Sequence, residues 1–251
     1  MSLEMFLFLI GAGFVAAFID SVVGGGGLIS LPALMLTGLP TNVVLGTNKM
    51  GGTACSLTST IAFLRSGKVD YKTVKWLFPL SMIGSAGGVF VVQLIPSSFL
   101  KPLVVVLLIA VTIYTFFRKN WGEVSTFQGM TKKVAMLAAL AACLIGFYDG
   151  FFGPGTGSFL LFAFLMLGFD FVGAAGNAKV LNFGSNIAAL VTFMAMGSVN
   201  YTYGLVLGVS MMIGAVVGSR FAINKGATYV RPLFIGVTVL LIGKQLWDFA
   251  Q

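Results

Sequence analysis

The sequence predicts an all-α integral membrane protein of two inverted-topology repeats, each with one Gly-broken helical segment plus three transmembrane helices. Three observations carry that expectation. Hydrophobic residues fill 58% of the 251 positions and charged residues only 9%, whereas a soluble domain carries about 25% charge. Apolar runs of membrane-crossing length follow one another along most of the chain, giving a mean hydropathy of +1.01. The second half repeats the first, polar residues included.

A helix needs roughly 20 apolar residues to cross about 30 Å of hydrocarbon. Segments 43–64 (carrying Lys49), 76–94, 103–117, 174–196, 201–219 and 233–243 are expected to be full spans. Segments 5–36 and 134–167 would each exceed about 45 Å as one straight helix. Both are interrupted, by Gly24-Gly25-Gly26-Gly27 and by Gly153-Pro154-Gly155-Thr156-Gly157, and such runs break helices. Each long segment is therefore two arms joined by a non-helical elbow. The N-terminus has no basic lead-in or cleavage site, so it is expected to be a retained helix rather than a signal peptide. Cys55 and Cys143 fall within apolar segments, which favours packing over a disulfide. Trp76, Trp121 and Trp247 stand near segment ends, as interfacial anchors do.

A shift of 129 residues brings Asp20 onto Asp149, Gly24 onto Gly153, Gly26 onto Gly155 and Asn48 onto Asn177. With one residue inserted, a shift of 130 brings Lys49 onto Lys179, Phe63 onto Phe193, Gly67 onto Gly197 and Tyr71 onto Tyr201. The same register pairs Gly84 and Gly88 with Gly214 and Gly218, Lys101 with Arg231, and Pro102 with Pro232. Chance matches between apolar helices would favour Leu and Val, not Asp, Asn, Lys and Pro. Residues 1–117 thus form a first repeat, 118–133 an inter-repeat cytoplasmic loop and 134–251 a second repeat. Internal repeats are a mark of transporter folds.

The net charge of +8 sits in connectors, which points to membrane orientation and away from nucleic acid. Arg65, Lys68, Lys72 and Lys75 follow one span, and the equivalent stretch 197–203 is uncharged. The next connector reverses this, with Lys101 against Arg220, Lys225 and Arg231, and the link between halves holds Arg118, Lys119, Lys132 and Lys133. Lys and Arg mark the cytoplasmic side, so equivalent loops are expected on opposite faces. That parity requires three full spans per half, a broken segment that enters and leaves on one side, and both termini outside.

The elbows are the candidate site. Irregular backbone at membrane depth is tolerated only where protein or a water-filled cavity satisfies it. A helix that restarts there offers free amides to an anion. Gly24, Gly25, Gly26, Gly153 and Gly155 are therefore candidate substrate-binding residues; the alternative is that these glycines only permit close packing, as expected at Gly84/Gly88 and Gly214/Gly218. Asp20 and Asp149 lie within apolar arms just before the elbows, either as coupling carboxylates or as caps for the elbow amides. Lys49 and Lys179 are expected at the starts of spans, beside Asn48 and Asn177, where they either snorkel to the interface or face an anion or the aspartates. Asn182 follows on the same segment, with Ser185 and Asn186. Polar side chains of this density either hold helices together or line a pore.

Two intramembrane lysines set against two carboxylates favour an anion as substrate. A cation- or proton-linked transporter, or a passive anion channel, using Asp20 and Asp149 is the alternative. The chain has no histidine, which removes Ser–His and zinc–His machinery, and its carboxylates are too dispersed for an acid–base pair. No enzyme, cofactor or metal site is expected. The expected partners are a small anionic substrate and the lipid bilayer, a homodimer being an option, and no nucleic acid.

The stretch Asp20-Ser21-Val22-Val23-Gly24-Gly25-Gly26-Gly27, then Gly46-Thr47-Asn48-Lys49, resembles the TauE/SafE sulfite exporter family, also called the toluene sulfonate uptake permease family. Asn177-Ala178-Lys179-Val180-Leu181-Asn182-Phe183 in the second half is similar to it too. The resemblance covers almost the whole chain. It implies a multi-pass permease of the cell (inner) membrane handling sulfite, sulfonates, sulfoacetate or related sulfur-containing anions, with the Gly-rich elbows and Asn-Lys pairs as the matching positions. Pro154 in place of glycine and the extra residue between Asn177 and Lys179 depart from strict repetition.

Overall fold

The computed structural model describes residues 2–92, 94 and 124–225. These form eight helices and no strand: α1 Leu3–Val23, α2 Gly27–Met35, α3 Thr41–Arg65, α4 Tyr71–Val92, α5 Lys132–Phe151, α6 Thr156–Met166, α7 Phe171–Ala195 and α8 Tyr201–Lys225. Helices α1, α4, α5, α7 and α8 are each long and apolar enough to cross a membrane. The expected spans 103–117 and 233–243 lie outside the described residues, as do Lys101, Arg118, Lys119, Trp121, Arg231 and Trp247.

Local chemistry accounts for the helix ends. Ser2, Thr131 and Asp170 are N-caps whose side chains accept from the amides of Met5, Val134 and Gly173, each satisfying a donor the helix leaves orphaned. Gly67 and Gly197 take positive φ just past α3 and α7, the usual glycine stop. Both long segments break at the glycine runs, but their arms are unequal. Helix α1 has 21 residues and α2 has 9; α5 has 20 and α6 has 11. At 1.5 Å per residue the first arm is membrane-length, and α2 covers only about 14 Å.

The halves pack through each other rather than side by side. Helix α1 lies along α8, and α4 along α5, through equivalent positions of the two halves. A methyl group at Gly84 or Gly88 would come within 2.2 Å of the Cys143 carbonyl oxygen or 2.0 Å of the Phe147 one. At Gly214 and Gly218 it would meet the Phe14 and Phe18 carbonyl oxygens at 2.3 and 2.5 Å. Small residues at this spacing let helix backbones touch. Helices α3 and α7 cross the centre antiparallel: Gly52 lies against Asn186, the Thr60 hydroxyl donates to the Lys179 carbonyl at 2.9 Å, and Gly176 lies against Phe63 and Lys68. Phe63 and Phe193 are both fully buried, in separate apolar clusters.

The structure moves one residue pairing. Helices α3 and α7 begin and end 130 residues apart, so Lys49 corresponds to Lys179 but Thr47, not Asn48, corresponds to Asn177. The hydrogen bonds agree. Thr47 Oγ1 accepts from the Asn200 amide at 2.9 Å, and Asn177 Oδ1 accepts from the Asp70 amide at 2.8 Å. Each ties its helix to the start of the following helix of the opposite half. The inserted residue therefore precedes α7 instead of interrupting it.

Candidate functional site at the crossed lysine–aspartate pairs

Lys49 and Lys179 do not start their helices. Each sits in the third turn, about 12 Å along the axis, and they are 3% and 2% exposed, so neither snorkels to an interface. Burying two ammonium groups demands partners, and each finds one in the opposite half. Lys49 Nζ lies 2.8 Å from Asp149 Oδ1, and Lys179 Nζ donates to Asp20 Oδ2 at 2.5 Å. Asp20 is on α1 and Asp149 on α5, in the last turn of each helix, so both carboxylates lie beside the elbows.

The elbows stack on one another. A methyl at Gly24 would sit 2.2 Å from the Ser158 amide nitrogen, and one at Gly27 3.3 Å from Pro154 Cα. The Ser158 hydroxyl donates to the Val23 carbonyl at 3.0 Å. Glycine at position 24 thus serves close approach as well as its φ of 81°. Helices α2 and α6 start here, with Gly26 and Gly155 as N-caps that have no side chain of their own to cap the first turn.

Between the elbows and the central helices lies a cavity of about 30 Å³. Its polar wall includes Asp20, Asp149, Lys49, Asn48, Asn182 and Asn186, with Ser30 and Thr156 from the short helices and the elbow glycines Gly25, Gly153 and Gly155. The Ser30 hydroxyl donates to Asn48 Oδ1 at 2.6 Å, and Asn186 Nδ2 donates to Asn182 Oδ1 at 2.7 Å. Four of the sequence-derived candidates stand back from this wall. Gly24 packs against the opposite elbow, Gly26 donates its amide to Asp20 Oδ1 at 3.1 Å, and Asn177 holds the Asp70 amide. Lys179 is engaged with Asp20 behind the elbow. Ser30, Thr156 and Met211 line the cavity without having been singled out; Ser30 and Thr156 carry a weak signal, being hydroxyls in the short arm after an elbow, whereas Met211 carries none. Among the described residues no cluster of His, Cys, Asp or Glu suits a metal ion.

The sequence pattern of the sulfite exporter TauE/SafE family matches residues 9–244, taking in both elbows and both crossed pairs. The chain belongs to that family. Among similar proteins, a Sinorhizobium protein named "Probable membrane transporter protein ORF9" is 39% identical, over 99% of this chain and 95% of its own length. A "Probable membrane transporter protein" of Haemophilus influenzae is 34% identical over 98% of this chain and 96% of its own. The Escherichia coli protein "Probable membrane transporter protein YfcA" is 36% identical over 93% and 87%. No solved structure matches the chain at a significant level. This TauE/SafE family member is thus a multi-pass membrane transporter, and its family and relatives are named as transporters rather than enzymes.

Proposed function

We propose that the chain moves small sulfur-containing anions, such as sulfite or a sulfonate, by alternating access, binding them in the cavity between the elbows. One observation carries the reading. Lys49 presents a buried positive charge to a polar cavity bounded by two helix starts with glycine N-caps, and its counter-ion comes from the other half of the chain. Helix starts and an ammonium group both attract an oxyanion. A cavity of about 30 Å³ has space for water only, so the arrangement is a closed one and a substrate ion requires the elbows to part. Because each ion pair joins one half to the other, parting them couples substrate entry to a movement of halves.

The same reading takes residues 1–117 and 134–251 as inverted units in the inner membrane. The antiparallel crossing of α3 and α7 supports it, since these helices occupy equivalent places in the two halves. So does the groove that Arg65 and Arg220 line together, which puts the basic ends of α3 and α8 at one end of the bundle, the cytoplasmic end by charge.

The test is flux of labelled sulfite, sulfate, taurine and sulfoacetate into proteoliposomes, with and without a pH gradient. Saturable uptake of at least one sulfur oxyanion is expected, falling by about tenfold or more in Lys49→Gln, as for loss of a charge-assisted contact worth ~1.5–3 kcal/mol. Absence of flux for all four anions in protein that is folded and monodisperse overturns the substrate class.

A further inference from the structure

The two crossed pairs share a plan but differ in how completely each carboxylate is held. Asp20 has both oxygens occupied: Oδ1 accepts the Gly26 amide at 3.1 Å, and Oδ2 accepts Lys179 at 2.5 Å and the Cys55 thiol at 3.6 Å. Asp149 has Lys49 on Oδ1, while its buried Oδ2 has no hydrogen-bond partner among the described residues. Only the Asp149 pair has both members on the cavity wall; of the other pair, Asp20 alone reaches it.

The cause is legible in the sequence. Gly25, at φ 89°, turns the first elbow so that the next amide meets Asp20. Its counterpart is Pro154, whose ring fixes φ near −65° and forbids that path. The positive φ moves to Gly155, and Tyr148, standing where the first half has Ile19, donates to the Pro154 carbonyl at 2.6 Å. At the position equivalent to Cys55 stands Ser185, which bonds the Asn182 carbonyl instead. Asp149 is thereby left without either of the extra donors that Asp20 has.

An anion entering the cavity meets a site whose positive charges are already neutralised. A cationic contact becomes available only when a lysine loses its counter-ion, and the carboxylate best placed to give it up is the one with a free buried oxygen. We propose, on the basis of the anion-transport reading above, that the Lys49–Asp149 pair is a proton switch and that the Lys179–Asp20 pair is a fixed strut. A proton from the aqueous phase bonds to Asp149 Oδ2 and the carboxylate becomes a neutral carboxyl. Lys49 keeps its own proton and takes the substrate anion as its counter-ion. On the far side the anion leaves, Asp149 releases its proton to water, and the ion pair re-forms. One proton accompanies one negative charge, so each cycle moves no net charge.

Among the described residues the groups facing Asp149 are few. Lys49 comes from α3, Asp20 lies across the cavity on α1, and Lys179 from α7 is committed to Asp20. Helix α6 has no titratable side chain, the charged residues of α4 lie exposed at its beginning, and the Tyr148 hydroxyl is held by Pro154. Asp149 is therefore the carboxylate expected to respond to acid without disrupting the strut.

The experiment is infrared difference spectroscopy of the full chain in lipid, without substrate, as the pH is lowered, together with flux measurements on the same samples. Wild type is expected to show a protonated-carboxyl band on acidification. The band should vanish in Asp149→Asn, and in the double variant Asp149→Asn/Lys49→Gln, which leaves no lysine unpaired in case the single change does not fold. It should persist in Asp20→Asn/Lys179→Gln. In flux, a pH gradient should drive wild-type accumulation of a monovalent anion up to about tenfold per pH unit, the limit for one coupled proton; Asp149→Asn should retain anion exchange but not accumulation. A band that survives Asp149→Asn, or gradient-driven accumulation unchanged in that variant, overturns the switch. A wild type showing the band but no sulfur-anion flux overturns the substrate reading and leaves the switch standing.

Discussion

At the first elbow a carboxylate is gripped by a lysine, a backbone amide and a thiol, whereas at the second the equivalent carboxylate has a lysine and, among the described residues, no partner for its other oxygen. In the helix contacts the two halves obey one rule to within about half an ångström, as the Gly88–Phe147 and Gly218–Phe18 contacts do at 2.0 and 2.5 Å. The contrast teaches where a duplicated chain is free to diverge. Helix contacts that each half makes with the other come in equivalent pairs, each built from residues of both halves. Pro154 stands in an elbow and not in the α1–α8 or α4–α5 contacts, so its presence in place of glycine alters the surroundings of one carboxylate and leaves those helix contacts alone.

The largest effect that sharpens this comparison comes from truncating each aspartate to alanine. Either change leaves a buried ammonium without its partner, worth about 3–5 kcal/mol. Asp20→Ala also strands the Gly26 amide, a buried donor worth a further ~1–3 kcal/mol. Thermal unfolding in detergent should therefore rank Asp20→Ala below Asp149→Ala. An equal loss would mean that the difference between the two elbows has no energetic content.

Next in size is the packing frame, where the halves should behave alike. Gly88→Ala and Gly218→Ala each drive a methyl into a carbonyl oxygen of the opposing helix. Overpacking of this kind costs about 1–3 kcal/mol. Gly11→Ala is the control, since a methyl there meets nothing within 4 Å, and alanine should gain up to ~1 kcal/mol of helix propensity. A large loss in one half only would break the equivalence.

Much of this was legible beforehand because it rests on composition and glycine runs. Charge scarcity and long apolar runs give the helices, and Gly24 to Gly27 and Gly153 to Gly157 give the breaks. The crossed pairing was not legible. Asp20 and Lys179 are 159 residues apart, and nothing in either stretch says that the nearer lysine belongs to the other aspartate. The lysines lie deeper than the sequence suggests because α3 and α7 begin at Thr41 and Phe171, ahead of the apolar stretches expected from 43 and 174. Asn177 shows the limit of matching by residue type. An asparagine beside a lysine in each half suggested one shared role, but the helix register makes Thr47 its counterpart, and both hold a loop amide.

Those two loop contacts supply a smaller test. Thr47→Val and Asn177→Leu each unpair one partly buried amide, of Asn200 and Asp70 respectively. Each should lower stability by about 1–2 kcal/mol, with anion flux retained in both, because neither side chain lines the cavity. A selective loss of flux in Asn177→Leu would return Asn177 to the site and reopen the pairing of Asn48 with Asn177.

The smallest expected effect on stability bears most directly on the elbows. Pro154→Gly frees the second elbow to take the path of the first, where Gly25 has φ 89°. Removing proline from a position it fits costs about 0.4–1 kcal/mol, through the extra freedom of the unfolded chain, so unfolding should shift only slightly. The consequence lies at Asp149. Once the elbow can turn as the first one does, an amide can occupy Oδ2, and the second pair should behave as a strut. Accumulation driven by a pH gradient should then weaken while anion exchange persists, the same split expected of Asp149→Asn but reached without touching the carboxylate. Full accumulation in Pro154→Gly would show that the free oxygen of Asp149 does not depend on the proline, and would place the origin of the asymmetry in Tyr148 and Ser185 instead.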